Sequence, residues 1–256
     1  MIKSVVMFSS GISSWAAGKR YAEEHGTEGM VLLFADTLIE DDDNYRFLNE
    51  AAVNIGCEVT TLTDGRNPFE IMKQRRIIGN SRIDPCSDVL KRKLLHKWQA
   101  ENCDKNTPII FGLSWEEMNR SERLKARAPE WNYVTPLCDA PYITKNDQLA
   151  WAKSEGIMPP RLYEMGFPHA NCGGFCIKAG QANFKLLLKN FPERYAEAEE
   201  WELGMQDYLE CENTILRTTV NNERVNLSLK QLREKIESEE PIDEFDFGGC
   251  ACALPV

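Results

Sequence analysis

The chain has 256 residues, 43% of them hydrophobic and 27% charged, which fits an ordinary globular protein with a sizeable core. Its formal net charge of −10 argues against broad, sequence-independent nucleic-acid binding, which needs clustered Lys and Arg. No apolar run approaches the roughly 18–20 residues of a bilayer span, and no N-terminal apolar stretch leads to a small-residue cleavage site. A cytoplasmic protein with no membrane partner is therefore expected.

The first half alternates between two patterns. SVVMF reads as a short buried strand, and SWAAGKRYAEEHG as a helix closed by Gly26. GMVLLFADT is a second strand, followed by the helix DDDNYRFLNEAAVNIG with apolar Phe47, Leu48, Ala51 and Ile55. CEVTTLT is a third strand and PFEIMKQRR a helix; SDVLKRKLLHKWQAEN is another helix, with Ser87 as its expected N-cap. TPIIFGLS is a fourth strand, leading to the helix EEMNRSERLKARA. Such alternation predicts an α/β fold, a parallel sheet with helices on both faces.

From about Thr135 the pattern changes. TKNDQLAWAKSEG, ANFKLLLKNFP, ERYAEAEEWELGMQDYLE and SLKQLREKIESEE read as helices, the last capped by Ser228, while PPRLYEMGFPHANCGGFC is rich in loop residues. The expected organisation is a nucleotide-binding α/β domain over residues 1–135 and a mostly helical, cysteine-containing region over 136–256 that packs on it. MKQRRIIGNSR and LKRKLLHK form basic patches between Met72 and Lys97. The acid-rich EDDD (Glu40 to Asp43), ERYAEAEEWE and ESEEPIDEFD read as solvated helix faces and loops.

The stretch FSSGISSW joins the first strand to the first helix. In open α/β sheets ligands bind at the carboxyl ends of strands. The unpaired N–H groups and dipole of the following helix favour an anion there, and serine hydroxyls add donors without bulk. Ser9, Ser10, Gly11, Ser13 and Ser14 are therefore a candidate phosphate cradle, although neither the GxxxxGK[ST] nor the GxGxxG spacing is present. Asp36 and Thr37 leave the second strand at the same rim, placed to meet a nucleotide or a magnesium ion.

These segments resemble the PP-loop ATP-pyrophosphatase superfamily, in particular its phosphoadenosine phosphosulfate reductase family. The superfamily pattern SGGxDS stands here as SSGISS, with Ser10 in place of the first glycine and Ser13 in place of the usual aspartate. FADTLIEDDDNYRF is similar to the family's second-strand segment. FGLSWEEMNRSERL is similar to its segment of strand, glycine (Gly112), acidic residue and paired arginines. The likeness covers roughly the first 130 residues. It implies an adenine nucleotide alpha hydrolase-like fold, ATP or another adenine nucleotide as ligand, adenine near Phe34, and Arg120 and Arg123 facing phosphate or sulfate. Surface pairing of those arginines with Glu116, Glu117 or Glu122 is the alternative at helical spacing. Loss of the loop aspartate counts more against ATP cleavage than against a phosphosulfate substrate.

Nine cysteines in a reducing compartment do not read as a disulfide framework. Cys57, Cys103, Cys138 and Cys211 read as small buried hydrophobes. Cys86 stands just before a helix, where a thiolate is favoured, and Lys91 follows five residues on to offer a cation near a bound anion. HANCGGFC spaces Cys172 and Cys176 as CxxxC around glycines, and FGGCACAL carries Cys250 and Cys252. Three readings compete with unlinked thiols. The first is a [4Fe–4S] cluster on Cys86, Cys172, Cys176 and one tail cysteine, with Cys250 assigned. The second is a structural zinc site on the same thiolates. The third is a redox pair in which a tail cysteine, Cys252, is the nucleophile. His169 is a candidate ligand or proton donor, or a plain loop histidine. The resemblance favours the cluster and the redox readings, since members of the group carry a [4Fe–4S] cluster or a reactive C-terminal cysteine.

The leading expectation is an enzyme of sulfur chemistry on an adenine nucleotide, either a phosphoadenylyl-sulfate reductase-like oxidoreductase or an ATP-pyrophosphatase-type sulfurtransferase. The first would use a thiol reductant protein. The second would thiolate a base of RNA from a sulfur donor, and net charge disfavours RNA. A non-catalytic nucleotide or redox sensor is the reading from another class. A homo-oligomer is compatible with the sequence.

Overall fold

In a parallel sheet covered on both faces, successive strand residues feed opposite cores. The first strand, β1 (Ser4–Phe8), shows this directly: Val6 and Phe8 enter one apolar cluster, Val5 and Met7 another, and the whole strand is buried. The computed structural model describes residues 2–249, so Cys250 and Cys252 lie outside the described residues.

After β1 come α1 (Ile12–His25), β2 (Met30–Asp36), α2 (Asp42–Ile55), β3 (Glu58–Thr63) and α3 (Pro68–Arg75). Gly26 and Gly56 end α1 and α2 with φ of 77° and 85°, a region that suits glycine. A π-helical stretch, Ser87–Arg92, runs into α4 (Lys93–Asn102). Then follow β4 (Ile109–Ile110), α5 (Met118–Arg127), β5 (Tyr133–Val134) and α6 (Lys145–Ser154), whose N-terminus carries a reciprocal Thr144–Asp147 cap. The remainder holds α7 (Arg161–Glu164), α8 (Gln181–Asn190), α9 (Pro192–Leu209), the hairpin of β6 (Leu216–Val220) and β7 (Glu223–Leu227), and α10 (Leu229–Glu237).

β1 to β5 form one parallel sheet in the order β3-β2-β1-β4-β5. The chain winds outward from β1 to one side, then crosses back to β4 on the other. The carboxyl ends of β1 and β4 therefore flank the crevice where doubly wound sheets take ligands. One core joins α1, α2 and α6 to the sheet through Trp15, Phe34, Phe47 and Ala152. The opposite core uses Leu33, Leu95 and Leu124, from β2, α4 and α5. A third, built on Phe167, Phe184, Tyr195 and Leu232, unites the C-terminal helices and also takes Met72 from α3.

Three sequence expectations need correction. Ser87 does not cap a helix: it is buried inside the π-helical stretch, and Cys86 already has helical angles. The fourth strand shrinks to Ile109–Ile110, and β5, too short to carry a pattern, pairs beside it. The β6–β7 hairpin was unforeseen; it turns at Asn221 and Asn222, both left-handed (φ 51° and 65°), as a two-residue hairpin turn with φ > 0 at both central residues requires. Among the described residues no helix is long and apolar enough to cross a membrane.

Candidate functional site

Leaving β1, the chain turns through Ser9, Ser10 and Gly11 into α1. Ser10 takes the left-handed conformation (φ 56°), which costs a residue with a Cβ roughly 1–2 kcal/mol. Its buried hydroxyl donates to the Asn44 carbonyl at 2.5 Å and holds it there. This is the position where the resembled pattern has glycine, and the backbone angle supplies the reason. Ser14 Oγ donates to the Gly11 carbonyl at 2.8 Å and accepts from the Ser9 amide at 3.3 Å, tying the loop to itself. Two contacts reach the loop from the C-terminal half: Ser13 Oγ donates to Gln148 Oε1 at 2.8 Å, and the Ile12 amide donates to Tyr163 Oη at 3.1 Å.

A cavity of about 240 Å³ opens beside this loop, at the ends of β1 and β4. Ser9, Gly11, Ser13 and Ser14 line it from one side, Gly112, Ser114 and Arg120 from another, and Lys91, Lys145, Gln148 and Tyr163 complete it. At Gly112 a Cβ would fall 2.6 Å from the backbone of Ser13 and Ser14, so only glycine lets the segment after β4 lie against α1.

Five predicted residues do not line this cavity. Ser10 is turned to α2, as described. Phe34 is 2% exposed in the core with Trp15 and Phe47, because the period of two along β2 sends Leu33 and Ala35 to the cavity instead. Asp36 is occupied at the strand end: its Oδ1 accepts from Tyr45 Oη and the Leu38 amide, both at 2.8 Å. Burial, then the bond to Asp36, pushes the Tyr45 phenol well above its usual range. Thr37 donates to Glu40 Oε1 at 3.0 Å and faces the cysteines. Arg123 lies on the exposed side of α5 and donates to the Asn119 carbonyl at 3.0 Å. Arg120 does line the cavity, and it also pairs with Glu117, the ion pair its helical spacing allows.

Cys86, Cys172 and Cys176, contributed by two segments more than 80 residues apart, line one small cavity of about 20 Å³ with Thr37, Pro68, Phe175 and Ile177. Lys91 belongs to the walls of both cavities, so one side chain borders the two. Its Nζ lies 4.0 Å from Cys172 Sγ. Residues five apart on a regular α-helix point about 140° away from each other. The widened turn here, in which the Lys93 amide bonds the Asp88 carbonyl, brings Cys86 and Lys91 to the same wall.

The CxxxC loop is wound tightly: Cys172, Gly173 and Gly174 are all left-handed, with φ of 54°, 59° and 84°. Two buried acids hold it. Glu40 accepts from the Cys172 amide at 2.5 Å, from Asn44 Nδ2 at 3.3 Å and from Thr37, and it pairs with Lys91 at 3.5 Å. Asp41 accepts from Arg161 Nε and Nη2 and from Arg194 Nη1, all at 2.8 Å, and caps α2 through the Asp43 amide at 3.1 Å. Arg194 Nη1 also donates to the Gly173 carbonyl at 2.9 Å. Burial pushes the Asp41 carboxyl up, but the bonds from Arg161, Arg194 and Asp43 outweigh it and hold the pKa below the usual carboxylate value. The EDDD segment is thus not a solvated face. Its first two acids are buried because their counter-charges arrive from α7, α9 and the π-helical stretch.

The end of the described chain docks beside the same loop. The Gly249 amide donates to the Lys178 carbonyl at 3.2 Å, and the Ala182 amide to the Asp246 carbonyl at 2.9 Å. Phe247 and Gly249 share a small cavity with His169 and Cys176. Cys250 is the next residue in sequence. Among the described residues no three His, Cys, Asp or Glu side chains are grouped closely enough to hold a metal ion. Away from this region, Cys138 donates weakly to the Leu113 and Ser114 carbonyls, and Cys57 is half-buried against the core, where burial pushes its thiol up to about 11, as suits an inert thiol.

Sequence reasoning missed Glu40, Asp41, Lys145, Gln148, Tyr163, Arg161 and Arg194. For the two acids the signal was their position at the rim, directly after Asp36 and Thr37. The other five lie on three C-terminal helices, and no local pattern marks them.

No protein-family model matches the chain, and no curated protein matches it. Solved structures do match. One is the phosphoadenylyl-sulfate (PAPS) reductase from Candida auris in a phosphate complex, at TM-score 0.44 and 13% identity, covering 65% of this chain and 78% of that one. Another is the U34-tRNA thiolase NcsA from Methanococcus maripaludis with its [4Fe–4S] cluster, at TM-score 0.47 and 18% identity, covering 82% of this chain and 73% of that one. The α/β class itself rests on the strand order.

Proposed function

We propose that the protein is an enzyme of sulfur chemistry on an adenine nucleotide, similar to the phosphoadenosine phosphosulfate reductases of the PP-loop superfamily. One observation carries this reading: Lys91 forms part of the wall of both the serine-loop cavity and the cavity of the three cysteines. A group bound at the loop is thereby within one side chain of clustered sulfur.

In this reading Ser9, Gly11, Ser13 and Ser14, with the start of α1, bind the anionic part of the nucleotide, and Gly112 keeps the facing segment close. Arg120 and Lys91 compensate charge on the phosphate or sulfate. A thiolate, assigned to Cys252, attacks the sulfur of an adenylyl sulfate. The new S–S bond forms as the S–O bond breaks, and the adenosine phosphate leaves with the electron pair. A second thiol, from the protein or a thiol reductant, attacks the resulting S-sulfocysteine; a disulfide forms and sulfite leaves.

Three thiols bordering a largely apolar space are the kind of donor a metal group takes, and because among the described residues they are not grouped closely enough to hold a metal ion, binding would have to draw them together. Cys86, Cys172 and Cys176 would hold a [4Fe–4S] cluster, with Cys250 from the adjoining tail as fourth ligand; zinc is the alternative occupant. Such a cluster, when bound, supplies electron transfer or an iron that binds sulfur. The chemistry presumes a reducing compartment such as the cytosol.

Anaerobic purification with iron, sulfide and zinc analysis tests the ligand set. About four irons and a visible band that Cys172→Ala or Cys176→Ala abolishes support it. An unchanged spectrum in both variants refutes it. The product tests the reaction. Sulfite released with a thiol reductant supports reduction, while AMP and pyrophosphate formed only with RNA present transfer the reading to base thiolation. Nucleotide binding with neither product leaves a sensor.

A further inference from the structure

We infer that the anion at the serine loop is bound without a divalent cation and that Lys145, from the C-terminal half, is the charge that replaces it. This rests on the nucleotide reading above and concerns how the ligand is held.

Magnesium takes near-octahedral oxygen ligands and enters nucleotide sites through one or two carboxylates together with the phosphates. The loop side of this cavity offers no carboxylate. Position 13 is serine, and its hydroxyl is already given to Gln148 Oε1 at 2.8 Å, on a side chain that is 1% exposed. A neutral pair, a half-buried hydroxyl on a buried amide, therefore stands on the loop side and offers no carboxylate to a metal. Asp36 lies outside the cavity and accepts two hydrogen bonds of 2.8 Å on Oδ1. Glu40 lies outside the cavity and is taken by Thr37, Asn44, the Cys172 amide and Lys91. The carboxylates that do line the cavity, Glu116 and Glu117, sit on the opposite wall, after β4, and Glu117 is engaged by Arg120 and by the Ser114 amide at 3.4 Å. On the loop side, where the anion is placed, the donor set does not fit magnesium.

Charge of the right sign comes instead from Lys145. It opens α6, lines the cavity, and is positioned by a 2.8 Å bond from Nζ to the Pro168 carbonyl. Nζ stands 5.9 Å from the centre of the Tyr163 ring, whose hydroxyl in turn meets the Ile12 amide at 3.1 Å. The ammonium is thus one aromatic ring away from the start of α1, where the helix dipole adds to its field. A lysine acts here as a point charge for phosphate.

Equilibrium dialysis of the full-length protein with adenosine 3′,5′-bisphosphate, in excess EDTA and in excess magnesium chloride, tests the inference. Affinities within about twofold of each other are expected. Binding tenfold or more tighter with magnesium overturns the inference and leaves the nucleotide reading standing. No binding in either buffer removes the nucleotide reading, and the inference with it. Lys145→Gln is expected to weaken binding about tenfold or more in EDTA, the loss of one charge-assisted contact, and Lys145→Arg to restore most of it. A folded Lys145→Gln protein with wild-type affinity overturns the role given to the lysine. Ser13→Asp is expected to bind weakly in EDTA and recover in magnesium. Equal affinity in the two buffers for that variant overturns the placement of the anion at the loop.

Discussion

Asp41→Asn removes a negative charge from a carboxylate whose side chain is fully buried, while leaving its shape. Three guanidinium bonds of 2.8 Å weaken or are lost, and Arg161 and Arg194 are left facing a neutral amide. Breaking a buried ion pair from one side costs about 3–5 kcal/mol. Here the guanidinium side chains are 44% and 33% exposed, so water takes over part of what they lose, and about 2 kcal/mol is the expected cost. For a chain of this size that corresponds to a fall in Tm of about 4–8 °C. The pH dependence has a definite sign. Because the folded-state pKa of Asp41 is lowered, its contribution is complete above the unfolded value of about 3.9 and fades as pH falls through the folded value. Urea unfolding of wild type and variant across a pH series should give a gap that is constant near neutrality and closes in acid. A variant as stable as wild type at pH 7, or a gap that widens as pH falls, would refute the account of Asp41 as the clamp of the cysteine loop.

Glu40→Gln turns one acceptor oxygen into a donor that faces other donors, and takes the carboxylate charge away from Lys91; about 2–3 kcal/mol of stability should be lost, together with bound iron, and a variant with wild-type urea midpoint and metal content contradicts this. Gly112→Ala places a methyl group 2.6 Å from the Ser13 and Ser14 backbone and should cost about 1–3 kcal/mol and weaken nucleotide binding. Gly204→Ala, inside α9 with nothing within 4 Å of the added carbon, should instead gain about 0.5–1 kcal/mol. If thermal melts rank those two alanines the other way, the close approach at Gly112 is not what the glycine serves.

What was legible in the residues was whatever is encoded locally. The short apolar run in SVVMF and the stop at Gly26 gave β1 and α1, and the serine turn between them fell at the cavity. The distant cysteines could be grouped only because their flanks, a helix start and a glycine-wrapped loop, each suit a thiolate. Less legible were features whose cause lies elsewhere in the chain. Glu40 and Asp41 look like solvent residues until Lys91, Arg161 and Arg194 are brought to them. Glu202 likewise sits in an acidic run yet is buried, accepting the Ile215 and Leu229 amides at 2.7 and 2.6 Å to fasten the hairpin and α10 to α9. The hairpin did carry a signal, paired asparagines between β-branched runs, but its polar faces hid the alternation. β5 is two residues long, below the reach of any periodicity.

The extra residue in the turn between Cys86 and Lys91 makes winding, more than composition, the quantity under constraint in that helix. Substitutions along its outer face should be absorbed freely. Relaxing the widened turn into ordinary winding at unchanged length would carry the thiol and the ammonium about 140° apart, whereas a single-codon deletion between them would leave them four residues apart, about 40° around the axis and on one face. Insertions and deletions there, catalogued across a library of variants, would separate survival of the fold from survival of the chemistry more cleanly than any exchange of side chains.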